Sequence, residues 1–163
     1  MAAGLTVGSF GGWTLPSITD TGSPGCDFSF AGGTDCGYNV DTSGSAMAYL
    51  WYEELGNLAF CPPGDAPCAG GPQPGWGLTN TGPYQNMQSN AYWSGTGYAP
   101  NTSFAWYFLI HNGLQGDDVK RNPLFAVAVR PGDVAASVPE PGSLAMLLAG
   151  LGALAAARRR RTR

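Results

Sequence analysis

The chain has 163 residues, enough for one ordinary domain, and charged residues make up only 12% of it, about half the share in a typical globular protein. Glycine (25) and proline (13) call for many turns, while 12% aromatic residues supply enough packable surface to exclude a disordered chain. Residues 1–137 carry a charge of −7 and residues 138–163 a charge of +4, and the first part holds no basic stripe, which excludes nucleic acid as a partner.

The four cysteines, Cys26, Cys36, Cys61 and Cys68, all fall in the first half of the chain. Four cysteines allow three connectivities, and an even count fits disulfides in an oxidising compartment. Nearest-neighbour pairing, Cys26–Cys36 and Cys61–Cys68, closes two short loops rich in glycine and proline. In the chain-entropy view a loop of about ten residues contributes roughly 2.5–3 kcal/mol. A zinc site is the rival arrangement. Structural zinc draws on cysteines two to four positions apart, whereas these pairs leave nine and six residues between partners.

Asp41-Thr42-Ser43 offers helix-capping side chains, and Met47, Leu50, Trp51, Leu55 and Leu58 follow at helical spacing, with Gly56 as a stop. Residues 61–90 are rich in turn formers and are expected to be irregular. Tyr92–Thr96 is a short strand. Phe104–Ile110 is an unbroken apolar run, which predicts a central strand buried on both faces. Asn112-Gly113 is a hairpin signal, and Leu124–Val129 is a further apolar run before Arg130-Pro131-Gly132. The expected fold class is α+β, one main helix against a small, mostly antiparallel sheet.

Several of these segments carry a resemblance. Gly12-Trp13-Thr14-Leu15-Pro16, Ser45–Asn57, Tyr92–Thr96, Ala105-Trp106-Tyr107 with Asn112-Gly113, and Phe125–Asp133 resemble, in order, the blocks of the Lcl C-terminal domain family. The resemblance implies a C-type-lectin-like fold over residues 1–134. Thr14 departs from it, because the family usually has arginine there. In that family an amphipathic helix precedes the tryptophan block, and Met1–Val7 holds no export signal, so an N-terminal truncation is expected.

The end of the chain is patterned differently. Residues 135–141 form a linker containing Pro139-Glu140-Pro141, whose two prolines hold the backbone extended. Residues 142–157 are free of charge and rich in leucine and alanine, which predicts a short transmembrane helix of about 24 Å. Arg158, Arg159, Arg160 and Arg161 then resist translocation and orient the segment with residues 158–163 in the cytoplasm. Ala145, Ala149, Ala153 and Ala157 form a stripe of small residues, as an alanine-rich segment readily does. This three-part pattern resembles the PEP-CTERM sorting signal of Gram-negative bacteria that make exopolysaccharide. The resemblance implies processing by an exosortase, a membrane-embedded cysteine transpeptidase, with Pro139, Glu140 and Pro141 as its recognition residues. It also implies a precursor in the inner membrane with its body in the periplasm, destined for the cell surface or the exterior.

No catalytic constellation accompanies these features. His111 is the single histidine and adjoins the Asn112-Gly113 turn; Glu53 and Glu54, adjacent on a helix, point about 100° apart and cannot face one another across a substrate. Asp117-Asp118 lacks the ligand ladder of a calcium loop, and no cofactor or metal is expected. Trp13, Trp51, Trp93 and Trp106 fit a core. Trp76, Tyr84 and Tyr98 stand among amide-bearing loop residues and are the candidate ligand-facing rings. The expected function is a non-enzymatic surface or matrix protein associated with a neutral exopolysaccharide. The alternatives are a carbohydrate-binding module and, third, an enzyme of the formylglycine-generating type.

Overall fold

The computed structural model describes residues 5–7, 10–22, 35–64 and 68–130, with side chains from residue 11 onward. The chain divides into two units, Met1–Arg130 and Pro131–Arg163, and the described residues all belong to the first. Strands β1 (Leu5–Val7) and β2 (Phe10–Trp13) form an antiparallel pair, Val7 opposite Phe10.

The expected helix forms, with different ends and a different winding. Asp41 caps a 3₁₀ turn (Thr42–Gly44) by accepting the Ser43 N–H at 2.9 Å. Ser45 is the cap of the helix proper, and its hydroxyl accepts the Ala48 N–H at 3.2 Å. The helix α1 (Ala46–Ala48) runs on as a π-wound segment, Tyr49–Glu54, in which the Leu55 N–H reaches back to the Leu50 carbonyl at 3.0 Å. Gly56, at φ +63°, ends it as expected. Leu58 lies past that stop and is 45% exposed, so the apolar face stops at Leu55.

The apolar run at Phe104–Ile110 builds the middle of a three-stranded antiparallel sheet. Its strands, β3 (Ala91–Gly97), β4 (Phe104–Leu109) and β5 (Leu114–Val119), lie side by side in that order. Trp93 faces Tyr107 across β3 and β4, and Tyr107 faces Gly116 across β4 and β5. One face of β4 is the core face, with Trp106 and Phe108 buried, whereas Tyr107 and Leu109 on the other are only half-buried. β5 is polar in sequence and was not expected. Gly37 bridges its Gln115, adding one further pairing at that edge. The Leu124–Val129 run is no strand: it is held by single bridges, Phe125 to Tyr92 of β3 and Val129 to Thr14 just past β2, and Phe125 is 43% exposed. The described part of 61–90, residues 61–64 and 68–90, is irregular apart from bridges of Trp76 and Gly77 to Leu58, as its turn formers predict.

Among the described residues two clusters make the core. Val40, Met47, Ala48, Trp51, Tyr92, Phe108 and Ile110 join the helix to the sheet, and Ile18, Cys36, Tyr98 and Trp106 fill the second. Burying a side chain such as Phe108 contributes about 1.5–3 kcal/mol. At the β4–β5 turn, Gly113 has φ +81°, and a Cβ there would stand 2.8 Å from both Trp51 Nε1 and Tyr52 Oη. The helix therefore seats directly on that turn, which only glycine allows. The Tyr52 hydroxyl, donating to the Gly113 carbonyl at 2.6 Å, fixes it there.

Candidate functional site

Cys61 and Cys68 are disulfide-bonded with Cα atoms 5.4 Å apart, so the nearer of the two expected loops closes as the spacing predicts. Cys36 is disulfide-bonded and fully buried; its expected partner Cys26 lies outside the described residues. Among the described residues no cluster of histidine, cysteine or carboxylate side chains could hold a metal ion.

The three candidate ligand-facing rings have three separate surroundings. Tyr98 is 8% exposed and stands edge-on to Trp106, with centroids 5.2 Å apart. It is a core residue, and the ligand-facing expectation for it is corrected: its loop sequence is polar, but the ring follows β3 into the second cluster. Trp76 is half-buried between Phe60 (4.8 Å, 77°) and His111 (5.4 Å, 88°). Tyr84 is 41% exposed. Of the other tryptophans, Trp51 and Trp106 are buried as expected, while Trp13 and Trp93 are half-buried. His111 is exposed, as its place beside the turn predicts, and Nδ1 lies 3.2 Å from the Ser89 hydroxyl.

Two carboxylates, Asp20 and Asp117, are perturbed in opposite directions. Asp20 takes the Trp106 indole N–H at 2.9 Å and the backbone N–H groups of Ala99 and Gly22. Burial raises its pKa, but these donors outweigh burial and hold the carboxyl below its ordinary range. Asp117 goes the other way: burial, then the neighbouring charges of Asp118 and Asp20, push it up. Sequence reasoning missed the Asp20 node, since nothing local marks a carboxylate that meets an indole 86 positions away.

The expected sorting segment, Pro139, Glu140 and Pro141 with the helix at 142–157 and Arg158, Arg159, Arg160 and Arg161, lies outside the described residues. Among the described residues no helix is long and apolar enough to cross a membrane. The PEP-CTERM protein-sorting motif matches residues 137–161. That match covers the linker motif, the apolar run and all four consecutive arginines. No curated protein and no solved structure matches the chain. The chain thus ends in a PEP-CTERM sorting motif, the mark of an exported protein processed by an exosortase.

Proposed function

We propose that this chain is the precursor of a non-enzymatic cell-surface or extracellular-matrix protein associated with exopolysaccharide. The observation that carries the reading is the sorting motif at residues 137–161. In this reading residues 142–157 hold the precursor in the inner membrane, the arginine cluster stays cytoplasmic, and the body folds in the periplasm. The disulfide at Cys61–Cys68 supports an oxidising compartment. The C-type-lectin-like assignment of the body rests on the ordered sequence blocks, with the small antiparallel sheet and the helical segment at 42–54 in support. A carbohydrate-binding module is the second reading, favoured by the exposed aromatic side chains. An enzyme of the formylglycine-generating type would need a reactive thiol, and Cys36, Cys61 and Cys68 are all disulfide-bonded.

The test is Glu140→Ala in a host that carries an exosortase. The wild-type chain should be shortened near Pro141 and leave the inner membrane. The variant should accumulate there at full length. Equal processing of the two chains would overturn the assignment of the recognition residues.

A further inference from the structure

Four large apolar side chains stand exposed among the described residues: Tyr49 (48%), Leu58 (45%), Tyr84 (41%) and Phe125 (43%). Two of them, Tyr49 and Tyr84, line one open groove of about 520 Å³ together with Leu50, Glu54 and Ser43. That volume lies within the range of small-ligand sites.

Helix geometry explains how Tyr49 and Glu54 come to share the groove. Five positions apart on an α-helix, they would point about 140° apart. The segment Tyr49–Glu54 is π-wound, and its wider turn swings the two side chains toward one side. Short π segments recur at functional sites. Here the winding gathers an exposed ring and a carboxylate onto the wall that faces Tyr84. Past Tyr84 the surface continues into a second cavity of about 190 Å³ lined by Gln85 and Asn86, whose amides both donate and accept.

The chemistry of the lining selects among ligands. Glu54 is the only charged residue among the described ones that line the groove, and its charge repels a polyanion. The floor near the helix cap is made of Thr42, Ser43 and Gly44, and the Thr42 hydroxyl donates to Glu53 at 3.4 Å, which leaves its oxygen able to accept from a hydroxylated ligand. The Ser43 hydroxyl donates to Asp41 at 2.7 Å and keeps its acceptor capacity. A ligand with flat apolar faces and a hydroxylated rim satisfies both the rings and these groups.

We propose that the groove between Tyr49 and Tyr84 binds a neutral oligosaccharide, with the two tyrosine rings against pyranose faces and Glu54 accepting from ring hydroxyls. The proposal deepens the exopolysaccharide association inferred above and rests on it for the presence of such a polymer around the exported protein.

The test uses the full disulfide-bonded chain in detergent, titrated calorimetrically with cellohexaose and maltohexaose as neutral probes and an alginate hexamer as a polyuronate probe. At least one neutral hexaose should bind, and Tyr49→Ala and Tyr84→Ala should each weaken it at least tenfold. Tyr49→Phe and Tyr84→Phe should stay within about threefold of the wild type. Both rings are exposed, so an unchanged thermal midpoint in each variant separates lost binding from lost folding. The proposal is overturned if neither neutral hexaose binds, if alginate binds as tightly, or if the tyrosine variants only dissociate a dimer seen in sedimentation. Undiminished binding by the alanine variants would also overturn it, while leaving a glycan association in place. The Glu140 processing experiment stands or falls separately from all of these.

Discussion

The Ser45 hydroxyl donates to the side-chain carbonyl of Gln115 at 2.6 Å, and both residues are buried. The same hydroxyl accepts the Ala48 N–H, and the Gln115 amide donates to the Asp35 carbonyl at 2.6 Å. One glutamine on β5 thus fastens the helix cap and the segment around Asp35 to the sheet.

Gln115→Leu keeps the side chain's bulk but strands a buried hydroxyl and a carbonyl. At about 1–3 kcal/mol for each unsatisfied group, the expected loss is roughly 2–6 kcal/mol. A lower urea midpoint at unchanged m-value would show it. Adding Ser45→Ala should cost less in this background than alone, a coupling of about 1 kcal/mol in a double-mutant cycle. Strict additivity would mean that the pair does not act as one unit.

This node also shows where the sequence was readable and where it was not. β3, β4, the Gly113 turn and the Gly56 stop announce themselves through apolar runs and turn chemistry over a few residues. β5 does not. Leu114–Val119 reads LQGDDV, and it is held by ladder bonds to β4 and a bridge to Gly37, not by an apolar face. Its Gly116 also lets Tyr107 lie close: a Cβ there would be 3.0 Å from the Tyr107 hydroxyl. Tyr84 was legible as an exposed ring because its loop is polar. Tyr49 and Glu54 were not legible as its partners, since an α-helical reading turns Glu54 away from Tyr49, and only the π winding brings them together. The sorting motif was legible as a whole because its order of proline pair, apolar run and arginines is written in consecutive residues.

Asp20 and Asp117 give opposite pH signatures. Asp20 has a depressed pKa in the fold, so its contribution is present above the ordinary carboxylate pKa and is lost as pH falls through the depressed value. Asp117 has a raised pKa, so its ionisation destabilises the fold above that raised value, and protonation relieves the penalty. Asp117→Asn should therefore raise the thermal midpoint at pH 7, with the gain shrinking as pH falls through the raised pKa toward 3. Trp106→Phe, which removes one donor to Asp20, should shift the acid unfolding of the chain to higher pH. A gain from Asp117→Asn that is constant across this range would refute the electrostatic origin.

The Cys61–Cys68 loop separates its partners by seven positions. For a loop of that size the chain-entropy relation predicts about 2.5 kcal/mol. Replacing both cysteines by alanine should cost about that much, and replacing one should cost at least as much while freeing a thiol. Non-reducing peptide mapping of the full chain should recover Cys61 joined to Cys68, and Cys36 joined to Cys26. A Cys36–Cys61 peptide would reject the local pairing.

Charge makes the last prediction, which concerns sulfated polymers such as heparin. The 1–137 segment carries −7 with only Lys120, Arg121 and Arg130 as bases. Lys120 Nζ donates to the Thr102 carbonyl at 2.8 Å, and Asp118 lies on the adjoining strand, accepting from Asn122 at 2.7 Å. A polyanion approaching the two neighbouring bases therefore also meets the charge of Asp117 and Asp118. At about 0.15 M salt, with a Debye length near 8 Å, the long-range repulsion is weakened but no missing contact is supplied. The arginines at 158–161 would mask this, so the chain to use carries glutamine at all four positions. It should pass through a heparin column at that salt. Retention would show that Lys120 and Arg121 outweigh their acidic neighbours, and replacing both by alanine should then abolish it.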